Sequence, residues 1–160
     1  MYDPITIANF FINQSLADGY QLTPMKLVKL TYIAHGWHLA FKEKPLLSEG
    51  VQAWKFGPVV PTVYHTYKEF GRNQIPRLKP VISIFDQPIR DDSDEWKILK
   101  GVWNNYKHLT GANLSTMTHQ SGTPWDTITK QHKGHPLPHN LIIPNDMIQK
   151  HYQELKKQRA

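Results

Sequence analysis

The sequence of 160 residues contains no cysteine. This absence excludes disulfide bonds, thiol nucleophiles and zinc sites built from cysteine. The sequence also has no apolar run that approaches the roughly 20 residues needed by a membrane-spanning helix. Its N-terminus lacks the basic-then-apolar layout of a secretory signal. We therefore expect a soluble, cytoplasmic protein that makes no membrane contact.

The chain is rich enough in apolar residues to fold. Hydrophobic residues make up 39% of it and aromatic residues 11%, with five Trp, and this content is too high for a disordered chain. One domain is usual at this length. We therefore predict a single domain over residues 1–160.

Arginine is scarce, since only four of the 19 Lys and Arg residues are Arg, although the net charge is +6. Residues 130–160 hold six positive and two negative side chains, so much of the surplus lies in the C-terminal tail. Arginine is the side chain best suited to paired contacts with phosphates and bases. A lysine-rich tail is more typical of a solvated helix or of weak, non-specific attraction to nucleic acid. A nucleic-acid- or operator-binding regulator stays open as the alternative function.

Helix-start signals divide the chain into segments. A capping residue followed by proline occurs at Asp3-Pro4, Thr23-Pro24 and Thr123-Pro124. Apolar residues at spacings of three and four continue these and other starts. The pattern predicts seven helical segments, over residues 4–18, 24–41, 61–70, 91–109 (with Gly111 as its stop), 114–119, from 124, and from 145 with Asn145 as its cap.

The segment that begins at Pro24 is apolar on two faces, so neighbours should cover it on both sides. We predict that it is the buried central helix. Gly36 inside it costs about 1 kcal/mol of helix stability relative to Ala, which indicates that another backbone passes close by. The two predicted inward stripes are Leu27, Leu30, Ala34, Trp37 and Phe41, and Met25, Val28, Tyr32 and Leu39; the first helix has its own stripe of Ile5, Ala8, Ile12 and Leu16.

Two stretches favour β structure. Val51–Phe56 alternates well enough for a short strand, closed by Gly57-Pro58. The β-branched run at 81–85, inside a proline-rich connection, predicts an extended edge strand. The fold class is therefore mainly α: a compact helical domain around a buried central helix, with a small two-stranded β element.

Two groups of histidines raise the question of a metal. His35 and His38 lie one helical turn apart, but no acidic residue separates them and the metalloprotease motif is absent. The position of His35 on an apolar stripe favours a hydrogen-bonded core histidine. His132, His135 and His139 are enough imidazoles for zinc, yet they lie in a proline-broken loop. We predict no metal and no cofactor, while metal binding by the loop at 132–139 stays open.

A hydrolase is the third hypothesis. Ser115, Ser121 and Thr123 lie near His119 in the sequence and Asp126 follows, so the residue types of a Ser/His/Asp set are present. No G-x-S-x-G motif frames a serine, and these residues are more simply helix caps. We therefore predict that the protein is not an enzyme; a hydrolase would be centred on His119 or His35.

The segment Trp54–Pro61 is unusual because it holds two aromatic residues, a glycine and two prolines in eight residues. Such a segment forms a rigid turn. It is either a packed corner with its aromatics in the core, or a protein-contact surface, since rigid aromatics concentrate binding energy at low entropic cost. On the second interpretation the candidate contact residues are Trp54, Lys55, Phe56 and Pro58.

These motifs together resemble the Panacea-domain family, also called the SocA-like or phage-associated antitoxin domain. The order and the spacing of the first two blocks both agree with the family, and the resemblance covers roughly residues 5–130. The matching blocks are Leu22–Leu27 leading into Leu30, Tyr32 and Ala34–Ala40; Pro45-Leu46; Ala53–Pro61 with Val63-Tyr64; and Leu114, Thr118-His119, Gly122 and Pro124-Trp125.

The resemblance implies a mainly helical, cytosolic antitoxin, often encoded beside a toxin gene on a phage or other mobile element. It implies neutralisation of a cognate toxin by protein–protein contact, and it carries over no catalytic residue. We expect the antitoxin either to occlude the toxin or to hand it to a protease. The polar positions within the shared pattern are His35, His38 and His119. The basic tail, about 131–160, departs from the pattern, so we predict partner-specific contacts there. Its candidate residues are Lys150, Lys156 and Lys157.

Overall fold

The computed structural model describes residues 1–82, 87–132 and 137–159. Within these residues it contains seven α-helices and one two-stranded antiparallel sheet, which confirms the predicted fold class. The elements are α1 (Pro4–Asp18), α2 (Pro24–Lys42), β1 (Gln52–Trp54), β2 (Gly57–Val59), α3 (Pro61–Tyr67) with a 3₁₀ turn (Lys68–Phe70), α4 (Asp94–Tyr106), α5 (Gly111–Thr118), α6 (Pro124–Lys130) and α7 (Asn145–Arg159).

Helix α2 is the centre of the molecule, as its two apolar faces predict. It packs against α1, α3, α4, α5 and α7 as well as β2. Leu27, Leu30 and Ala34 are fully buried along it. Because neighbours enclose every side of the helix, almost all of its side chains are withdrawn from water, including polar ones.

The predicted inward stripes have three exceptions. Leu16 on the last turn of α1 is 51% exposed, and Met25 and Phe41 near the two ends of α2 are 42% and 52% exposed. The periodicity identifies the correct helix faces, but a helix end can extend beyond the neighbour that covers its middle.

Three helix starts follow the predicted capping chemistry. The carboxylate of Asp3 accepts a hydrogen bond from the backbone N–H of Ile5 at 2.8 Å. The hydroxyls of Thr23 and Thr123 cap α2 and α6 in the same way. At the other end of α1, Gly19 adopts a left-handed conformation with φ 75° and ends the helix as predicted.

Two terminus predictions are wrong. Gly111 is the first residue of α5 and does not stop α4, which ends at Tyr106. A Cβ at Gly111 would lie 3.0 Å from the backbone nitrogen of Lys26, so the glycine lets α5 approach α2 closely. Asn145 is the first residue of α7, and its side chain bonds to His35 across the core.

The close approach at Gly36 also differs from the prediction, because a side chain and not a backbone lies against it. A Cβ at this position would lie 2.3 Å from Cε2 of Tyr152. The Tyr152 ring is buried between Tyr32 and Trp37, whose ring centroids are 6.1 and 5.2 Å away. Because Gly36 has no side chain, the ring of Tyr152 on α7 can pack directly against the backbone of α2.

The β element is a hairpin made within residues 52–59, not a pair of distant strands. Gly57, with φ 116°, reverses the chain after Lys55 and Phe56. The N–H of Ala53 donates to the segment before α7, away from β2. Ala53 therefore faces Pro58 as a pair without mutual hydrogen bonds, and the missing N–H of proline costs nothing there.

The predicted edge strand at 81–85 is not a strand where it can be described. Val81 and Ile82 lie outside any strand, and the remainder of the prediction lies in residues 83–86, outside the described part of the chain. Across the described ranges, no helix is both long and apolar enough to cross a membrane.

Candidate functional site

The hairpin is held to the helical core by hydrogen bonds from several elements. Trp125 of α6 donates its indole N–H to the Trp54 carbonyl at 2.7 Å, and Ser115 of α5 donates its hydroxyl to the Phe56 carbonyl at 2.7 Å. The Nζ of Lys29 on α2 donates to the Pro58 carbonyl at 2.9 Å. Because three of its backbone carbonyls are bonded to three different helices, the hairpin holds the turn side chains in fixed directions.

The turn side chains form an exposed patch, which we call the hairpin surface: Trp54, Lys55, Phe56, Tyr64 and His65. Phe56 is 61% exposed, with the Lys55 ammonium 5.4 Å from its ring centre. Trp54 is half-buried, and the rings of Tyr64 and His65 lie 5.0 and 5.9 Å from it. The packed-corner interpretation, with both aromatics in the core, is therefore wrong for Phe56.

A cleft of about 730 Å³ adjoins this surface. The indoles of Trp54 and Trp125 line it, together with Lys55 and the described residues that precede α7. Phe56 does not line this cleft but follows Lys55, which does. Aromatic walls and an exposed aromatic side chain are both features that concentrate binding energy in protein interfaces.

Pro58 is placed differently from the other turn candidates. It is buried beneath the hairpin, and its carbonyl holds Lys29. Lys29 itself is 2% exposed, and no described carboxylate lies within ion-pair distance of its Nζ. Burial therefore lowers the pKa of Lys29 from 10.5 to about 7. The bond between Lys29 and Pro58 therefore joins the buried side of the hairpin to α2.

The three candidate lysines of the tail lie on α7 and are exposed. Lys157 pairs with Glu154 at 3.4 Å, and the Lys156 ammonium lies 4.7 Å from the ring centre of Phe41. None of the three lines the cleft beside the hairpin. The predicted contacts of the turn and of the tail therefore do not form one continuous site.

His35 is a buried structural histidine, as its position on the stripe predicts. Its Nδ1 accepts from the backbone N–H of Leu47 at 3.3 Å, so the ring proton is on Nε2, which donates to Oδ1 of Asn145 at 2.9 Å. A second proton on Nδ1 would meet the Leu47 N–H. Burial lowers the pKa of His35 from 6.5 to about 4, with a smaller contribution from His38 in the same direction.

This environment predicts acid sensitivity. Between pH 6.5 and 4 His35 is protonated in the unfolded chain but stays neutral in the folded chain. The free energy of unfolding therefore falls as the pH falls. We expect His35→Gln to lose less stability than the wild type across this window, by roughly 2–3 kcal/mol. Urea denaturation at a series of pH values measures the difference. His108→Gln, at an exposed histidine, is the control, and wild-type-like acid sensitivity in His35→Gln would contradict the assignment.

The other two shared histidines have different surroundings. The Nδ1 of His38 bonds to the carbonyl of Lys44 at 2.6 Å, and its Nε2 lies 3.7 Å from Glu95 at the start of α4. The ring of His119 lies edge-on to Trp125, 5.4 Å between centres, and its Nδ1 is buried with no hydrogen-bond partner among the described residues. His119 thus lies behind the tryptophan that holds the hairpin.

Three of the residues available for a hydrolase have structural partners, while Ser121 is exposed. The hydroxyl of Ser115 donates to the hairpin, Thr123 caps α6, and Asp126 accepts from the N–H of Gly122 at 2.9 Å and pairs with Lys130 at 2.9 Å. In residues 1–82, 87–132 and 137–159 no three His, Asp or Glu side chains group closely enough to hold a metal ion. His135 of the predicted loop cluster lies outside these residues.

Two features of the site were missed from the sequence. Lys29 supports the hairpin, and Trp125 binds it from the side. A signal for Lys29 was present: a helix that is apolar on two faces and enclosed by neighbours also buries the polar residues between those faces. No local pattern indicates that Trp125 reaches a strand so distant in the sequence.

Comparison with known proteins places the chain in a family. The family model described as "Antitoxin SocA-like, Panacea domain" matches residues 27–126, and the chain belongs to this family. Antitoxin SocA of Caulobacter vibrioides (strain NA1000 / CB15N) is 33% identical over 132 residues, which cover 79% of this chain and 70% of that protein. No solved structure matches the chain. The resemblance seen in the motifs is confirmed, while the single-domain organisation stays a prediction.

Proposed function

We propose that this protein is an antitoxin that neutralises a cognate toxin protein by direct contact and catalyses no reaction. Membership of the SocA-like family supports the antitoxin role. The hydrogen bonds that hold His35, Ser115 and Asp126 in structural positions support binding over catalysis. The proposed toxin is the product of an adjacent gene on a phage or mobile element, and a protease that receives the toxin is a further proposed partner.

The observation that carries the contact surface is the exposure of Phe56 on a hairpin bonded to α2, α5 and α6. An exposed aromatic on a fixed backbone loses little conformational entropy when a partner covers it. Lys55 beside it adds positive charge at the rim, which favours an acidic patch on the toxin. Lys150 and Lys157 on α7 are proposed as secondary contacts.

We expect Phe56→Asp to weaken toxin binding by at least about tenfold, because truncating an interface anchor of this kind costs about 2 kcal/mol or more and about 1.4 kcal/mol is tenfold. The fold should survive, since the side chain is 61% exposed and only its carbonyl is bonded to the core. Isothermal titration with the neighbouring gene product measures the affinity, and relief of its toxicity on co-expression measures neutralisation.

Ile82→Asp is the matched control, because it makes the same type of change at a side chain that is 94% exposed and lies outside the hairpin. It should bind and rescue as the wild type does. Full rescue by Phe56→Asp would contradict the hairpin surface. A neighbouring product that is harmless, or one that the wild-type chain neither binds nor relieves, would contradict the antitoxin proposal itself.

A further inference from the structure

A second surface lies on another part of the molecule, in a groove of about 540 Å³ between α2, α4 and α7. We call it the α2–α4–α7 groove. It shares no lining residue with the cleft beside the hairpin. Its apolar lining is Trp37, Phe41, Ile98, Val102 and Tyr106.

Phe41 shows that this lining is incompletely covered. It is a large side chain of the central helix, yet it is 52% exposed, while Trp37 one turn earlier is buried. The groove has the volume of pockets that hold drug-sized groups, roughly 300–1,000 Å³. It is large enough to bury one bulky apolar side chain from a partner against Phe41.

The rim of the groove is positive. Lys97, Lys156 and Arg159 line it, and none of its described lining residues is acidic. None of the three cations lies within 4.0 Å of a carboxylate in the part of the chain that the structure describes. Elsewhere on the described surface some lysines have such partners and others, such as Lys55 and Lys150, do not. The rim is distinctive because three such cations line one apolar groove.

Aromatic contacts hold two of these cations in place. The Lys156 ammonium lies 4.7 Å from the ring centre of Phe41, and the Arg159 guanidinium lies 5.0 Å from that of Trp37 and 5.9 Å from that of Tyr106. Arg159 also donates to the Tyr106 hydroxyl at 3.3 Å, and among the described residues this uses one of its five N–H donors. The positive charges are therefore positioned before a partner arrives.

We propose that the α2–α4–α7 groove binds an acidic segment of a partner protein that inserts one bulky apolar side chain. Any segment that crosses the groove takes the three cations partly out of water, which is costly unless the segment brings carboxylates to pair with them. Nucleic acid fits less well, because bases stack on open ring faces and the Lys156 ammonium already covers one face of Phe41. An inserted apolar side chain needs only the part of Phe41 that stays exposed. The groove is a second contact site, separate from the hairpin surface.

Gly101 offers a sharp test. It lies on α4 in the groove wall, and a Cβ built on it meets no atom within 4 Å. Gly101→Leu therefore places a bulky side chain on the groove wall, where its Cβ has open space, and Gly101→Ala also replaces the helical glycine while leaving the groove open. Lys97→Glu reverses one rim charge at a side chain with no described ion pair.

The probe is a library of randomised peptides selected on the wild-type protein, with counter-selection on Gly101→Leu. We expect the enriched peptides to share one aromatic or large aliphatic residue flanked by Asp or Glu. In fluorescence polarisation their affinity should fall by at least about tenfold in Gly101→Leu and in Lys97→Glu, and stay within about twofold in Gly101→Ala and in Phe56→Asp.

Enrichment of peptides without acidic residues would overturn the proposal, and so would failure to enrich any peptide that the leucine displaces. A single-stranded oligonucleotide that binds the groove more tightly than the peptides do would also overturn it. Concentration-dependent self-association that is lost in Gly101→Leu would also overturn it, since a second copy would then occupy the groove. None of these readouts uses toxicity, so failure here is distinct from failure of the antitoxin proposal.

Discussion

Gly36→Ala should destabilise the protein, although the same replacement stabilises most helices. The new methyl group would overlap the ring of Tyr152, because its ideal position lies 2.3 Å from Cε2. The ring cannot turn away freely, since it is buried between Tyr32 and Trp37. Overpacking costs about 1–3 kcal/mol, and the overlap with three ring atoms places this case in the upper part of that range. The cost therefore exceeds the gain of about 1 kcal/mol from helix propensity. Urea denaturation measures the free energy of unfolding.

Gly101→Ala is the matched control for this prediction. It also replaces a glycine inside a helix, but its Cβ has open space, so we expect a gain of about 0.5–1 kcal/mol. In a double-mutant cycle, Tyr152→Leu should reduce the cost of Gly36→Ala, because the smaller side chain leaves room for the methyl group. Strictly additive costs would contradict the steric explanation.

The helices could be predicted from the sequence because their signals are local. Asp3, Thr23 and Thr123 each lie within three residues of the N–H groups that they cap. The two apolar faces of α2 are likewise a pattern within one segment, and they correctly identify the central helix. Such signals depend on the chain only over a turn or two.

The errors arise where distant segments meet. The sequence indicates that something lies close to Gly36, but only the packing of α7 on α2 shows that it is the ring of Tyr152. Asn145 has the chemistry of a cap, yet a buried imidazole competes for the same oxygen. Each outcome depends on contacts between elements far apart in the chain.

The candidate site likewise combines features that the local sequence predicts with features that depend on contacts between distant segments. The aromatic run at the hairpin is visible in the sequence, and its rigidity follows from glycine and proline. The exposure of Phe56, the burial of Pro58 and the support from Lys29 depend on which helices lie beneath the hairpin. The α2–α4–α7 groove could not be predicted, because three helices from different parts of the chain form its walls.

Lys29→Met should remove a pH dependence of stability in the alkaline range. The folded protein loses the Lys29 proton near pH 7, whereas the unfolded chain keeps it to about 10.5. Between these values the unfolded state binds more protons, so the wild-type free energy of unfolding rises with pH. Each pKa unit corresponds to about 1.4 kcal/mol, so the wild type should gain several kcal/mol relative to the variant across the window.

Below pH 7 the two stability curves should run parallel, because Lys29 is then protonated in both states. The lost hydrogen bond to the Pro58 carbonyl offsets the variant by a similar amount at every pH and leaves the slope unaffected. Lys55→Met, on the solvent side of the same hairpin, is the control, because it measures how the loss of an exposed lysine changes the stability curve. Parallel curves for the wild type and Lys29→Met throughout the alkaline range would show that the buried amine stays charged, and that the hairpin rests on an ammonium group and not on a neutral amine.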